Sequence, residues 1–407
     1  VENYKRWQPY ANGGEFRKWY GNNFDVVDWS QEATELYASK GGLYNKKFVG
    51  KSGICWNLIT SAKNGFRIKE SEFHYSSGSP TIFSDQKSSD SMYLGFLNSI
   101  VSYYLLQVIN PTINTTVNSV LCLPFDSGKY EYRISEIVND CLDSSKIDWD
   151  SFEISWNFLE NPLLANKHSN KLSECFKVWE KTTGDRFSLL KKLEEELNSI
   201  FIEIYDLQDE LTPEVEDKDV TVRKADVERD VRSFLSYLVG VIFGRYRLDK
   251  PGLAFAGGEF NLDEFDSYKP DKDNIIPITA EHYFEDDIVS KITELVAIIY
   301  GNDTLNENLQ FIATHLGMKE SETAEDTIRR YFMKDFYKDH LKIYQKRPIY
   351  WQFSSGKKGA FKGLMYLHRY DKYTLARIRT DYVLKLTTTL NQLIEHAQVI
   401  IDGNVSA

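Results

Sequence analysis

Gly356-Lys357-Lys358 lies in the stretch RPIYWQFSSGKKGAFKG, residues 347 to 363, with apolar and aromatic residues on both sides. Glycine followed by lysine is the heart of a phosphate-binding loop, where freed backbone N–H groups and an ammonium cradle a nucleotide. That chemistry also needs the spacing GxxxxGK, a following Ser or Thr to hold magnesium, and a helix after the loop. The upstream glycine and the hydroxyl are both absent here, and strand-like residues follow. A nucleotide loop is therefore rejected, and the lysines need another explanation.

The remaining reactive residue types give no catalytic constellation. Gly257-Gly258 is not the GxGxxG of a dinucleotide fold, and turn formation is its default reading. No GxSxG elbow occurs, and no serine has a recognisable histidine and acid partner. Cys55, Cys122, Cys141 and Cys175 form no CxxC pair, and the seven histidines show no HExxH or HxH spacing, so a zinc ribbon or redox motif is not expected. Glu281-His282-Tyr283-Phe284-Glu285-Asp286-Asp287 could hold a cation, but acidic residues before an apolar helix are already explained by the helix dipole. Glu216-Asp217-Lys218 has the outline of a nuclease triplet, which arises by chance in any chain this charged.

These residues sit in a readable frame. KFVGKSGICWNLITS and FRIKESEFHYSS contain short β-prone runs broken by glycine and serine. YLGFLNSIVSYYLLQVI carries Leu94, Leu97, Val101, Leu105 and Val108 at helical spacing and stops before Asn110-Pro111. From about 126 to 342 the pattern is mainly helical: Leu190, Leu193, Leu197, Ile200, Phe201 and Ile204 form one apolar face, and DVRSFLSYLVGVIFGRY and EDDIVSKITELVAIIYGN are further amphipathic runs. KPGLAFAGGEFNLDEFDSYKPDKDN reads as a long loop between them. Residues 347–368 look like two strands joined by SSGKKG, followed by a helix from Asp381 that runs out at the chain's end. The fold expected is α+β: a strand-containing domain over 1–125, a mainly helical domain over 126–342, and a basic hairpin with a C-terminal helix over 343–407. No run reaches the 18 apolar residues of a membrane span and no signal peptide opens the chain, so no membrane partner and a cytoplasmic protein are expected.

Charge is the more informative feature. The formal charge is −11, yet residues 1–70 and 343–381 are basic while 71–342 is strongly acidic. Two basic stretches around an acidic body can form a positive face despite a low pI; solvated lysines facing different ways are the alternative. Lys346, Arg347, Lys357, Lys358, Lys362, Arg369, Lys372, Arg377 and Arg379 interleave with Tyr350, Trp351, Phe353, Phe361 and Tyr366. On a hairpin, aromatics could pack inward while loop cations meet nucleic-acid phosphates, each contact releasing counterions. A hairpin with core aromatics and merely solvated charges would have the same composition.

RWQPYANGGEFRKWYGN, YLGFLNSIVSYYLLQVINPTIN, DWDSFEISWNFLENPLL, FGRYRLDKPGLAFAGG and RPIYWQFSSGKKGAFKGLMYLHRYDKYTLARIRTDYV together resemble the PglX family, adenine-specific DNA methyltransferases of BREX phage-defence systems. The LGFLNS…NPT stretch is also similar to the target-recognition part of TaqI-like and type IIG methyltransferases. Asn110-Pro111-Thr112 and Asn161-Pro162-Leu163 are present, but the family's glycine-rich S-adenosylmethionine motif and its Asn-Pro-Pro-Tyr adenine clamp are not. The resemblance thus implies a C-terminal, target-recognition portion of a larger enzyme, without catalytic, cofactor or metal residues of its own, whose S-adenosylmethionine is expected in the missing methyltransferase domain. Double-stranded DNA is the implied partner, with other BREX proteins as a second possibility through a scaffold role of the acidic helical body. Expected phosphate contacts are Arg17, Lys18, Lys46, Lys47, Lys51, Lys63 and Arg67 in the first domain, then Lys357, Lys358, Lys362, Arg369, Arg377 and Arg379 around the hairpin.

Overall fold

The structure is a computed structural model that describes residues 6–42, 46–60, 63–84, 90–357 and 359–405. The chain forms two compact units: residues 1–156 with 181–224, and residues 157–180 with 225–407. The 33-residue helix Leu172–Ile204 contributes to both. The units and the three sequence segments are divided differently, because composition follows the chain whereas this helix and the residues after it return to the first unit. Both units mix helices with small sheets, so the fold is α+β as expected.

The first unit holds two three-stranded sheets. β1 (Trp7–Ala11) pairs antiparallel with β2 (Asp25–Asp28) and parallel with β5 (His74–Tyr75), while β3 (Gly53–Cys55) lies antiparallel between β4 (Arg67–Lys69) and β6 (Thr81–Ile82). The segment read as one apolar helix is two, Asp90–Leu97 and Ile100–Ile109, at 70° to each other. The break has a local cause. Asn98 turns its side chain to the backbone of Phe66, accepting from its N–H and donating to its carbonyl at 3.0 Å each, and Ser99 caps the second helix by accepting from Ser102 N–H at 3.2 Å. Leu94, Phe96, Leu97, Val101 and Leu106 then bury themselves against Trp19, Trp56, Ile134, Val138, Leu197 and Phe201 in one core. Gly95 permits this packing: a Cβ there would stand 2.9 Å from a Val138 methyl. No single described helix is long and apolar enough to cross a membrane.

The second unit packs the helices Val227–Ile242, Ile288–Tyr300, Leu305–His315 and Ala324–Lys334 around a core that includes Phe234, Leu238, Ile292, Leu309 and Ile328. Against it lies the antiparallel sheet β7 (Ile276–Ile278), β9 (Lys362–Tyr366), β8 (Tyr350–Ser354), in that order. The expected hairpin is present, with Tyr350 opposite Tyr366 and Ser354 opposite Lys362. Tyr350, Phe361 and Tyr366 are buried, as a core role requires, whereas Trp351 faces outward at 44% exposure. The C-terminal helix Leu384–Val405 anchors its first turns through Leu386 on Ile275, Phe361, Ile378 and Tyr382.

Candidate nucleic-acid interface

The basic residues expected to touch phosphate separate into two populations, and burial decides which. Arg17, Lys18 and Arg67 are 5%, 6% and 2% exposed. Arg17 Nη2 meets Asp148 Oδ2 at 2.6 Å, its Nε donates to the Tyr20 carbonyl at 2.7 Å, and its guanidinium lies 5.1 Å from the Trp149 ring. Lys18 pairs with Glu194, whose other oxygen accepts from the Trp19 indole N–H at 2.7 Å. Arg67, on β4, donates to the Arg17 carbonyl at 3.3 Å and to Asn57 Oδ1 at 3.2 Å, and burial pushes its guanidinium below the usual range. These three cations hold the first unit together, and a phosphate could reach them only by displacing those partners. That corrects the expectation for them. Lys63 is half-buried and pairs with Asp219 at 2.5 Å.

Two arginines near the hairpin are also committed. Arg369 donates to the carbonyls of Phe243, Asp271 and Lys272 at 3.1, 2.7 and 3.2 Å and stacks 3.8 Å from the Phe260 ring, with burial lowering it to about 10. Arg377 pairs with Asp371 at 2.8 Å. Lys362 is half-buried, with its ammonium on the Met333 carbonyl.

Lys47, Lys51, Lys357 and Arg379 are exposed. Lys47 lies 4.7 Å from the Phe48 ring, and Lys357 is in the turn that Gly359 N–H closes onto the Gly356 carbonyl at 3.0 Å. Lys46 opens a short turn over Lys46–Phe48, but its side chain, like the whole of Lys358, lies outside the described residues.

Beside the hairpin the structure exposes three cations that the sequence reading passed over, Lys334, Lys338 and Lys342, next to Lys346 and Arg347 of the basic run. Lys334 ends the helix Ala324–Lys334, Lys338 and Lys342 share one face of the helix Phe336–Ile343, and Lys346 with Arg347 follows in the turn after it. All five are exposed. Burial first, and then the charge of Lys338, hold the Lys362 ammonium below the usual lysine range. The nearby acids are largely occupied: Asp335 meets Lys338 at 3.1 Å, and Asp339 accepts from Arg232 and from the Tyr331 hydroxyl. The repeat Lys-x3-Lys-x3-Lys-x3-Lys in KDFYKDHLKIYQK was the available signal, hidden by the acidic average of the segment before residue 343.

The other constellations resolve into structure. Asp287 caps Ile288–Tyr300 by accepting from Val289 N–H at 3.0 Å and takes Arg329 at 2.6 and 2.8 Å, which bears out the helix-start reading. Asp217 is spent on Lys191 and Lys224, and Lys218 on Glu216. Asn110 ties down its own loop through the Asn114 carbonyl at 2.7 Å, and Asn161 caps Pro162–Ala165. Among the described residues, no group of three or more His, Cys, Asp and Glu side chains is arranged to hold a metal ion.

No family model matches the chain. It is 42% identical over 398 residues to the adenine-specific methyltransferase PglX of Lacticaseibacillus casei (strain Zhang), covering 94% of this chain and 33% of that protein. It is 33% identical over 413 residues to the adenine-specific methyltransferase BrxX of Escherichia coli O9:H4 (strain HS), covering 94% of this chain and 34% of that protein. The chain therefore spans about a third of the length of the curated relatives it matches. Matched along nearly all of its own length, it is a partial PglX-like region.

Proposed function

We propose that this region grips double-stranded DNA and selects the target for an adenine-specific methyltransferase of the BREX type, whose S-adenosylmethionine and adenine pockets lie in other parts of the parent protein. The observation that carries this reading is the run of exposed cations of the second unit, Lys334, Lys338, Lys342, Lys346 and Arg347, together with Lys357 of the hairpin turn. Lysines one helical turn apart suit successive phosphates of a backbone, and each neutralised phosphate releases counterions. The strand-containing first unit is the part we assign to sequence selection. Within it we assign phosphate contact to the exposed Lys47 and Lys51 rather than to the buried Arg17, Lys18 and Arg67. The test is binding of a duplex to this chain across a salt series. Salt-sensitive affinity that drops when Lys338 and Lys342 are changed to Glu supports the reading, and salt-insensitive or absent binding rejects it.

A second role rests on one further observation. The C-terminal helix exposes Leu393, Ile394, Val399, Ile400 and Ile401, between 50% and 69% each, which favours a protein contact with another BREX component. Deleting residues 390–407 would then abolish co-purification of that component while leaving DNA affinity unchanged.

A further inference from the structure

Arg245 follows the helix Val227–Ile242, and its guanidinium is held in the second unit by tyrosines: it lies 5.3 Å from the Tyr246 ring and donates to two hydroxyls. Nε donates to the Tyr246 hydroxyl at 3.0 Å and Nη1 to the Tyr366 hydroxyl at 3.2 Å; Tyr366 in turn donates to the Phe255 carbonyl at 2.7 Å. Among the described residues Arg245 forms no ion pair, and its Nη2 donates to no protein acceptor. This is unlike the other committed arginines: Arg17 and Arg329 have aspartates, and Arg67 and Arg369 spend their Nη groups on carbonyl or amide oxygens. Burial works against this cation and the tyrosines around it, Tyr246, Tyr344, Tyr350 and Tyr366, favour it, but none of them is an acid side chain, which leaves Nη2 open to an anion.

The surroundings are built for one. The loop after Gly252 returns to Arg245, whose carbonyl accepts from Ala254 N–H at 2.8 Å. The amides of Ala256, Gly257, Gly258 and Glu259 donate to no acceptor among the described residues. Gly257 and Gly258 have φ of +133° and +93°, a conformation that keeps side chains out of the loop. Nothing lies within 4 Å of the point where a Cβ on Gly258 would stand, and His368 Nδ1 is 3.8 Å from that of Gly257. His368 is exposed, its ring 5.2 Å from that of Tyr366; burial first and then the charge of Arg245 hold its imidazole below the usual range, so its neutral ring offers an N–H. Glu259, which follows the glycines, forms no ion pair among the described residues.

We propose that Arg245, His368 and the Gly257–Gly258 backbone form a binding site for a phosphoryl group, which supplies the counter-charge that the protein omits. The ligand is either free phosphate or a backbone phosphodiester of a nucleic acid. The inference does not depend on the lysine face, which shares none of these residues.

Equilibrium dialysis of the chain against labelled orthophosphate, at constant ionic strength, tests it. One saturable site is expected, weakened at least tenfold in Arg245→Met and in His368→Glu and unchanged in Lys357→Glu. His368→Glu places a carboxylate beside the guanidinium at an exposed position, so it should leave the melting temperature unchanged or raise it. It therefore decides the matter if Arg245→Met fails to fold. The dinucleotide thymidylyl-thymidine identifies the source: competition with orthophosphate marks a phosphodiester site, and binding of orthophosphate alone marks a free-phosphate site. Absence of saturable binding by both probes, or wild-type binding by His368→Glu, overturns the proposal.

Discussion

Replacing Glu194 by Ala separates a structural lysine from a DNA-contacting one. In the structure Glu194 is 3% exposed and serves two donors, the Lys18 ammonium and the Trp19 indole N–H. Removing it leaves Lys18, 6% exposed, as an unpaired buried cation. Breaking a buried pair in this way costs about 3–5 kcal/mol, and the orphaned indole N–H adds to that, by about 1–3 kcal/mol. Taking the pair alone, a unit of 150–250 residues shifts its melting temperature by roughly 2–4 °C per kcal/mol, so the first unit should melt about 6–20 °C lower. Differential scanning calorimetry at pH 7 reads this directly, with Glu136→Ala as control. Glu136 meets Arg133 in a surface pair, and its loss should stay within about 0.5 kcal/mol. A loss for Glu194→Ala of under about 1 kcal/mol would refute the argument, since surface pairs have that strength, and would mean that Lys18 reaches water.

Four further outcomes are expected. Lys338→Glu with Lys342→Glu should lower the slope of log affinity for duplex DNA against log salt by about 0.9 for each lost phosphate contact, measured by fluorescence anisotropy. His340, whose Nε2 accepts from the N–H groups of Ile349 and Tyr350 at 3.1 Å each, is lowered to about 3 by burial and then by Arg245; His74 is lowered to about 4 by burial and then by Lys69. The unfolded chain therefore binds more protons at these sites, so both units should lose stability as pH falls below about 6.5, and urea unfolding at pH 5.5 and 7.5 measures the drop. His340→Phe, which removes the acceptor of two buried N–H groups, should destabilise the second unit by at least about 1–3 kcal/mol in the same assay. Gly65→Ala would place a Cβ 2.3 Å from the Arg17 carbonyl oxygen, and backbone cannot step aside as a side chain can. A loss of about 1–3 kcal/mol is expected, read as the shift in urea midpoint.

The elements were largely legible in the sequence. The helix around Leu190–Ile204, the hairpin and the glycine end of Ile288–Tyr300 all follow from periodicity and turn chemistry, which act over a few residues. The break at Asn98-Ser99 was not legible, because its cause is a side-chain bond to Phe66, far back in the chain. The same distance hid the partners of the buried cations. Arg17 meets Asp148 and Lys18 meets Glu194 across more than 130 residues, so nothing beside the RK pair signals that its charge is neutralised. Net charge per segment also concealed Lys334, Lys338 and Lys342, because the many acids between residues 71 and 342 set the average of that segment. The missing counter-charge at Arg245 could be seen only when every neighbour was in place.

The central claim, that this region selects the DNA target, is tested most directly by exchange. The chain would replace the matching third of the Lacticaseibacillus casei methyltransferase, and methylated adenines would be mapped in a host genome. The account predicts that the active chimera abandons the recipient's sequence and modifies a different one. An active chimera that still methylates the recipient's sequence would contradict it.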